Sequence, residues 1–242
     1  MDAKRLLDQF LGPDMQGKLS QAGDFAKRKY TESGGMGGFA GGAVAGGLLG
    51  VLLGNKSMRK MAGGVAGYGG AAVIGALAYR AFQAWQQGQA PSTVAQQAPA
   101  QLPPPEKIDP RFLPSTQTAT DGRPFELTLV QAMIAAAKAD GHIDAGEQGR
   151  IFQAVEQQGL DAEAKAFVFD ALSKPSDLDA VVRAARNDAQ KSEIYLAARL
   201  AIDPDQPAER AFLEALAHKL ALPQPLIAQL DAQVMSAVQA AA

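Results

Sequence analysis

Residues 190–202, QKSEIYLAARLAI, and 207–221, PAERAFLEALAHKLA, carry apolar side chains at spacings of three and four. That period puts one apolar stripe on a helix and leaves charged residues on the other side. The same code runs through 127–138, 148–158, 162–172, 177–186 and 224–240. Punctuation agrees: Ser176 with Asp179 has the spacing of an S-x-x-D cap, Pro207, Pro223 and Pro225 suit helix starts, and Gly159 suits a helix end. No stretch alternates as a half-buried strand would. Residues 125–242 are therefore expected to fold as an all-α domain of about seven helices.

The rest of the chain has a different composition. Of 25 glycines among 242 residues, 10 fall in 34–55 and 6 in 61–79, and neither run carries a charge. Gly34, Gly38, Gly42, Gly46, Gly50 and Gly54 recur every fourth residue, as do Gly63, Gly67, Ala71 and Gly75. Such a stripe lets two helix backbones approach closely, and in lipid a glycine-rich segment keeps its helix because nothing else satisfies its backbone. As helices the runs would be roughly 33 and 28 Å long, enough for a bilayer core of about 30 Å. Residues 34–85 are thus predicted to be a Gly-zipper membrane hairpin. Gly38, Gly42, Gly46, Gly50, Gly54, Gly63, Gly67 and Gly75 would form its packing face, and Tyr79, Phe82 and Trp85 its interfacial anchor.

Residues 1–33 hold one short amphipathic pattern (Leu6, Leu7, Phe10, Leu11) and a basic group, Lys18, Lys27, Arg28 and Lys29. No apolar run follows the first charges, as a signal peptide would require. Residues 86–124, rich in Pro, Gln and Ala, read as a linker. Cations near the two runs favour both termini inside, which places residues 125–242 in the cytoplasm.

The net charge of −2 is the sum of unlike parts: +5 for residues 1–124 and −7 for 125–242. An acidic domain argues against nucleic acid as a partner. The absence of Cys removes disulfides, thiolate metal sites and cysteine nucleophiles. With no G-x-S-x-G, P-loop or H-E-x-x-H arrangement either, the expectation is a protein that is not an enzyme.

One constellation could carry chemistry. In AAAKADGHIDAGE, residues 135–147, Asp140, Gly141, Ile143 and Glu147 fall at positions five, six, eight and twelve of an EF-hand loop. Ala136 and Lys138 occupy the first and third positions and cannot ligate. A second acidic turn, Asp203-Pro-Asp205 with Glu209, follows 62 residues later. If the turns met, Asp140, Asp144, Glu147, Asp203, Asp205 and Glu209 would repel unless a divalent cation, calcium, magnesium or another, or a cationic partner offset their charge. The same acids at helix starts also fit ordinary capping.

LLDQFLG, GNKSMRKMAGG, AMIAAAKADGHIDAGEQGRI and DPDQPAERAFLEALAHKL together resemble the YebE-type inner-membrane proteins of Gram-negative bacteria, whose C-terminal domain is similar to the tellurite-resistance protein TerB. The resemblance implies a bacterial inner-membrane protein with a seven-helix TerB-like domain. It also implies a metal site built from the six acids of the two turns; joined to a membrane anchor, such a module is expected to act in envelope or metal stress. The alternative is a glycine-zipper scaffold or small pore that forms homo-oligomers through its hairpin, with the acidic turns acting only as caps.

Overall fold

The computed structural model describes residues 70–91, 103, 105–139, 162–202 and 204–241. All belong to the larger of two units into which the chain divides, Gly41–Ala242. Among the described residues there are seven helices: α1 Gly70–Gln86, α2 Phe125–Ala137, α3 Ala162–Ser173, α4 Leu178–Arg183, α5 Asp188–Ala201, α6 Pro207–Lys219 and α7 Gln224–Ala241. Three 3-10 turns, Pro105–Lys107, Pro110–Phe112 and Pro114–Thr116, lie between α1 and α2. The all-α expectation holds. The expected helix over 148–158 and the amphipathic segment 1–33 lie outside the described residues.

Helix α5 is the axis of the bundle, packing against α2, α1, α7, α6 and α4. Asn187 opens it, its side chain accepting from Gln190 N–H at 3.0 Å. Eleven of its fourteen residues are buried, so it has no solvent face to speak of. Buried Gln190, Ser192, Glu193 and Arg199 hide this role from a hydropathy reading. Gln190 spends its amide on the loop before α2, donating to Gln117 Oε1 at 2.9 Å and Thr118 O at 3.2 Å. That loop turns at Gly122, whose φ of +82° falls in the left-handed region.

Lys138, at the end of α2, reaches the end of α3. Its Nζ donates to the carbonyls of Ala171, Leu172 and Lys174 at 3.1, 2.5 and 2.8 Å. A cation there satisfies carbonyls that a helix leaves unpaired and opposes the negative end of its dipole. Helix α4 is capped by Asp177, which accepts from Ala180 N–H at 2.8 Å, and not by the Ser176 pairing that the spacing indicated. Helix α6 has Pro207 at its first positions, and Glu209 folds back to accept from Gln206 N–H at 3.4 Å.

Helix α1 overturns the membrane reading of the described part of the hairpin. Ala71, Ile74, Leu77, Ala78, Ala81 and Ala84 are buried, and the helix lies against α7 and α5. Tyr79 and Phe82 stack on Phe112 at ring-centroid distances of 5.5 and 5.4 Å, so the supposed interfacial anchor is an aromatic cluster within the domain. Among the described residues no helix is long and apolar enough to cross a membrane. That finding overturns the Gly-zipper membrane hairpin in its described part, and with it the membrane and oligomer partnerships and the inner-membrane placement drawn from it; residues 34–69 of the hairpin lie outside the described residues. A period-four stripe of small residues permits close helix packing in any apolar surrounding, and here the surrounding is protein.

Gly75 is the one proposed packing glycine that is described. A Cβ there would collide with the Phe112 carbonyl oxygen and press on Pro114 Cδ at 3.0 Å and Glu193 Oε1 at 3.1 Å. Gly38, Gly42, Gly46, Gly50, Gly54, Gly63 and Gly67 lie outside the described residues. Residues 105–124, within the stretch read as a linker, press Ile108, Phe112 and Ala119 into the core.

Candidate functional site

The acidic turns do not assemble a metal site in the described residues, among which no three His, Cys, Asp or Glu side chains could share an ion. Of the six proposed ligands, Asp140, Asp144, Glu147 and Asp203 lie outside those residues. Asp205 is exposed, and its backbone carbonyl accepts from Arg210 Nη1 at 2.6 Å. Glu209 is engaged at its own helix start, as a capping carboxylate should be. The divalent-cation reading is corrected accordingly. Glu209 sits at the start of α6, where the backbone N–H groups attract a carboxylate without any ion.

A polar constellation lies elsewhere among the described residues, in a cleft of about 500 Å³ between α5, α6 and α7. Tyr195 and Arg199 project from successive turns of α5, and Asp231 meets them from α7. Tyr195 O–H donates to Asp231 Oδ1 at 3.1 Å, and Arg199 Nε lies 3.5 Å from the same oxygen. Arg199 Nη1 also donates to the Ile202 carbonyl at 3.0 Å, which ties the guanidinium to the residue that ends α5.

Burial drives the electrostatics of this group. Tyr195 is 3% exposed, and its phenol is pushed well above the ordinary range by burial first and by the Asp231 carboxylate second. Burial also raises the Asp231 carboxyl, against the pull of Arg199 and of the Tyr195 hydrogen bond. Leu213 and Ala217 of α6 and Ile227 and Met235 of α7 supply apolar walls, while Arg210, Glu214 and His218 stand on the polar side. Met235, 52% exposed, is the one large apolar side chain among the described residues that is so open to water.

The turn from α6 to α7 shapes one end of the cleft. Leu222 N–H donates to Ala217 O at 3.1 Å and Ala221 N–H to His218 O at 3.0 Å, the pairing of a Schellman close. Ala221 sits in it with φ +53°, where glycine is the usual occupant.

None of Tyr195, Arg199 and Asp231 stands out in the sequence. The available signals were a Tyr and an Arg four apart on an otherwise apolar stripe, and a lone acid within 224–240. His218, placed by its helical context on a packing or surface position, is exposed at the cleft edge. A second, smaller cavity of about 210 Å³ lies between α2, α3 and α4. The Arg123 guanidinium covers the Phe167 ring there at 5.9 Å.

A family model described as "Protein of unknown function (DUF533)" matches residues 38–234. A Yersinia enterocolitica protein described as "Uncharacterized protein in ampR 5'region" is 34% identical over 96 residues, covering 40% of this chain and 69% of that relative. No solved structure matches. These matches replace the YebE-type and TerB-like resemblance, which they do not support.

Proposed function

The chain belongs to the DUF533 family, and from that footing we propose that its helical domain is a non-catalytic recognition module whose binding surface is the cleft between α5, α6 and α7. The observation that carries this reading is the union of apolar walls with an internally satisfied polar floor of buried Tyr195 and Arg199 and half-buried Asp231. A volume of about 500 Å³ lies within the range of roughly 300–1,000 Å³ typical of small-ligand pockets.

The polar floor supports binding over chemistry. Tyr195, Arg199 and Asp231 hold one another, and a phenol raised by burial stays protonated near neutral pH and offers no phenolate base. Such a floor fixes the orientation of an incoming polar group while Leu213, Ala217, Ile227 and Met235 take an apolar one. The fitting ligand is a small amphipathic molecule or a short segment of similar chemistry.

The test is a titration of the isotope-labelled full chain with phenylacetate, benzamidine and indole, followed by amide chemical shifts. Perturbations should cluster at Tyr195, Ala217, Ile227 and Met235 for at least one probe. Met235→Arg alters an exposed position and should weaken that binding by about tenfold, the equivalent of one lost apolar contact of about 1.4 kcal/mol. Shifts scattered over the surface, or none with any of the three probes at millimolar concentration, would sink the proposal.

A further inference from the structure

Glu193 is fully buried in the middle of α5, and neither carboxylate oxygen has a hydrogen-bond partner. It lies where α1 crosses α5, and Oε1 is 3.1 Å from the point a Cβ of Gly75 would occupy, so the carboxyl faces α1 at a position without a side chain. A protonated carboxyl can remain in such a place at modest cost. An ionised one cannot, because the charge would have neither water nor a partner. The carboxylate and the docked α1 therefore exclude each other.

We propose that α1 is a proton-dependent clasp: protonated Glu193 keeps α1 seated on α5 and α7, and loss of that proton releases it. Charges nearby could have blunted this coupling. The titratable groups on the elements packed against α5 are Tyr79 and Arg80 of α1, Arg111 of the second 3-10 turn, Glu126 of α2 and Asp231 of α7. On α4 and α6 the charges are committed at the surface. Lys219 pairs with Asp179 at 2.6 Å and Arg183 with Asp177 at 3.8 Å; Glu209 caps its helix, and Arg210, Glu214 and His218 border the cleft. None of these groups offsets the burial of Glu193, and burial alone pushes its carboxyl well above the usual range.

The chain carries its own reporter, since its single Trp, Trp85, is on α1 and packs edge-on against Phe82 at 5.2 Å. The experiment follows Trp85 emission and hydrogen exchange of residues 71–86 in the full chain between pH 5 and 9, with exchange in α6 as the internal reference. Protection of α1, corrected for intrinsic exchange, should fall with rising pH by up to about tenfold per unit, the limit for one proton. In Glu193→Gln and in Glu193→Met, α1 should stay protected throughout and Trp85 emission should cease to follow pH. Gly75→Ala gives the released state for comparison, because its methyl cannot fit beneath Phe112. Protection of α1 that does not change with pH in the parent chain overturns the proposal. So does an unaltered pH response in both Glu193 variants.

Discussion

At the scale of single residues, the structure rests on side chains whose partners are far away in sequence. Lys138 binds three carbonyls at the end of α3, so Lys138→Met leaves three acceptors short of a donor and is expected to cost about 2 kcal/mol, read as a lower urea midpoint. Ala221 presents the opposite case. Its left-handed φ of +53° strains an L side chain, and Ala221→Gly should stabilise the α6–α7 turn by about 1 kcal/mol, raising the melting temperature. Acids raised by burial set the pH response. Glu126, Glu193 and Asp231 are all raised by burial, so the folded state holds protons that the unfolded chain releases first. Their effect is a loss of stability as pH climbs from the ordinary carboxylate range toward the raised values. Half-buried Asp109 and exposed Asp121 and Asp179 are lowered by hydrogen bonds from Arg111, Arg123 and Lys219, and act in the opposite sense as pH falls. Chemical denaturation in stages between pH 5 and 8 should show declining stability, and Glu193→Gln should flatten that decline.

At the scale of elements, how much can be read in advance depends on whether a segment's partners are local. Helices α2, α3, α5, α6 and α7 follow the apolar period of the chain to within a few residues, and Pro207 stands where a helix should begin. Helix α4 stops at Arg183, short of its expected reach to 186, because the backbone of residues 185–187 turns to set up the Asn187 cap of α5. Helix α1 was legible as a helix but not as part of a domain. Its Ala-rich, Gly-interrupted face fits a lipid-embedded neighbour and a protein neighbour equally well, and only tertiary packing tells them apart. The cleft was illegible for a related reason: Tyr195 and Asp231 lie 36 residues apart, and nothing local couples them. Close packing at Gly75 makes a sharp prediction for this scale. Gly75→Leu should drive α1 off its seat at a cost of at least about 2 kcal/mol and shift Trp85 emission to the red, while α6 and α7 keep their helical exchange protection.

At the scale of the whole molecule, the described domain is organised around a helix with no free face. Helix α5 contacts both α1, which precedes the 3-10 turns, and α7, the last described helix. Helix α1 in turn lies along α7, and Gln229 Nε2 donates to the Gln89 carbonyl across 140 residues. Contacts of such long reach are closed late, because the loop entropy must be overcome before any of them forms. During synthesis, α1 leaves the ribosome with Ile74, Leu77 and the surrounding alanines facing water. It must wait on the order of ten seconds, at about 5–20 residues per second, for the helix that covers them. For that interval the chain offers a small apolar ribbon to whatever chaperone is near. A chain truncated after residue 222 and released from the ribosome should therefore remain open to protease at α1, although every earlier described helix is present.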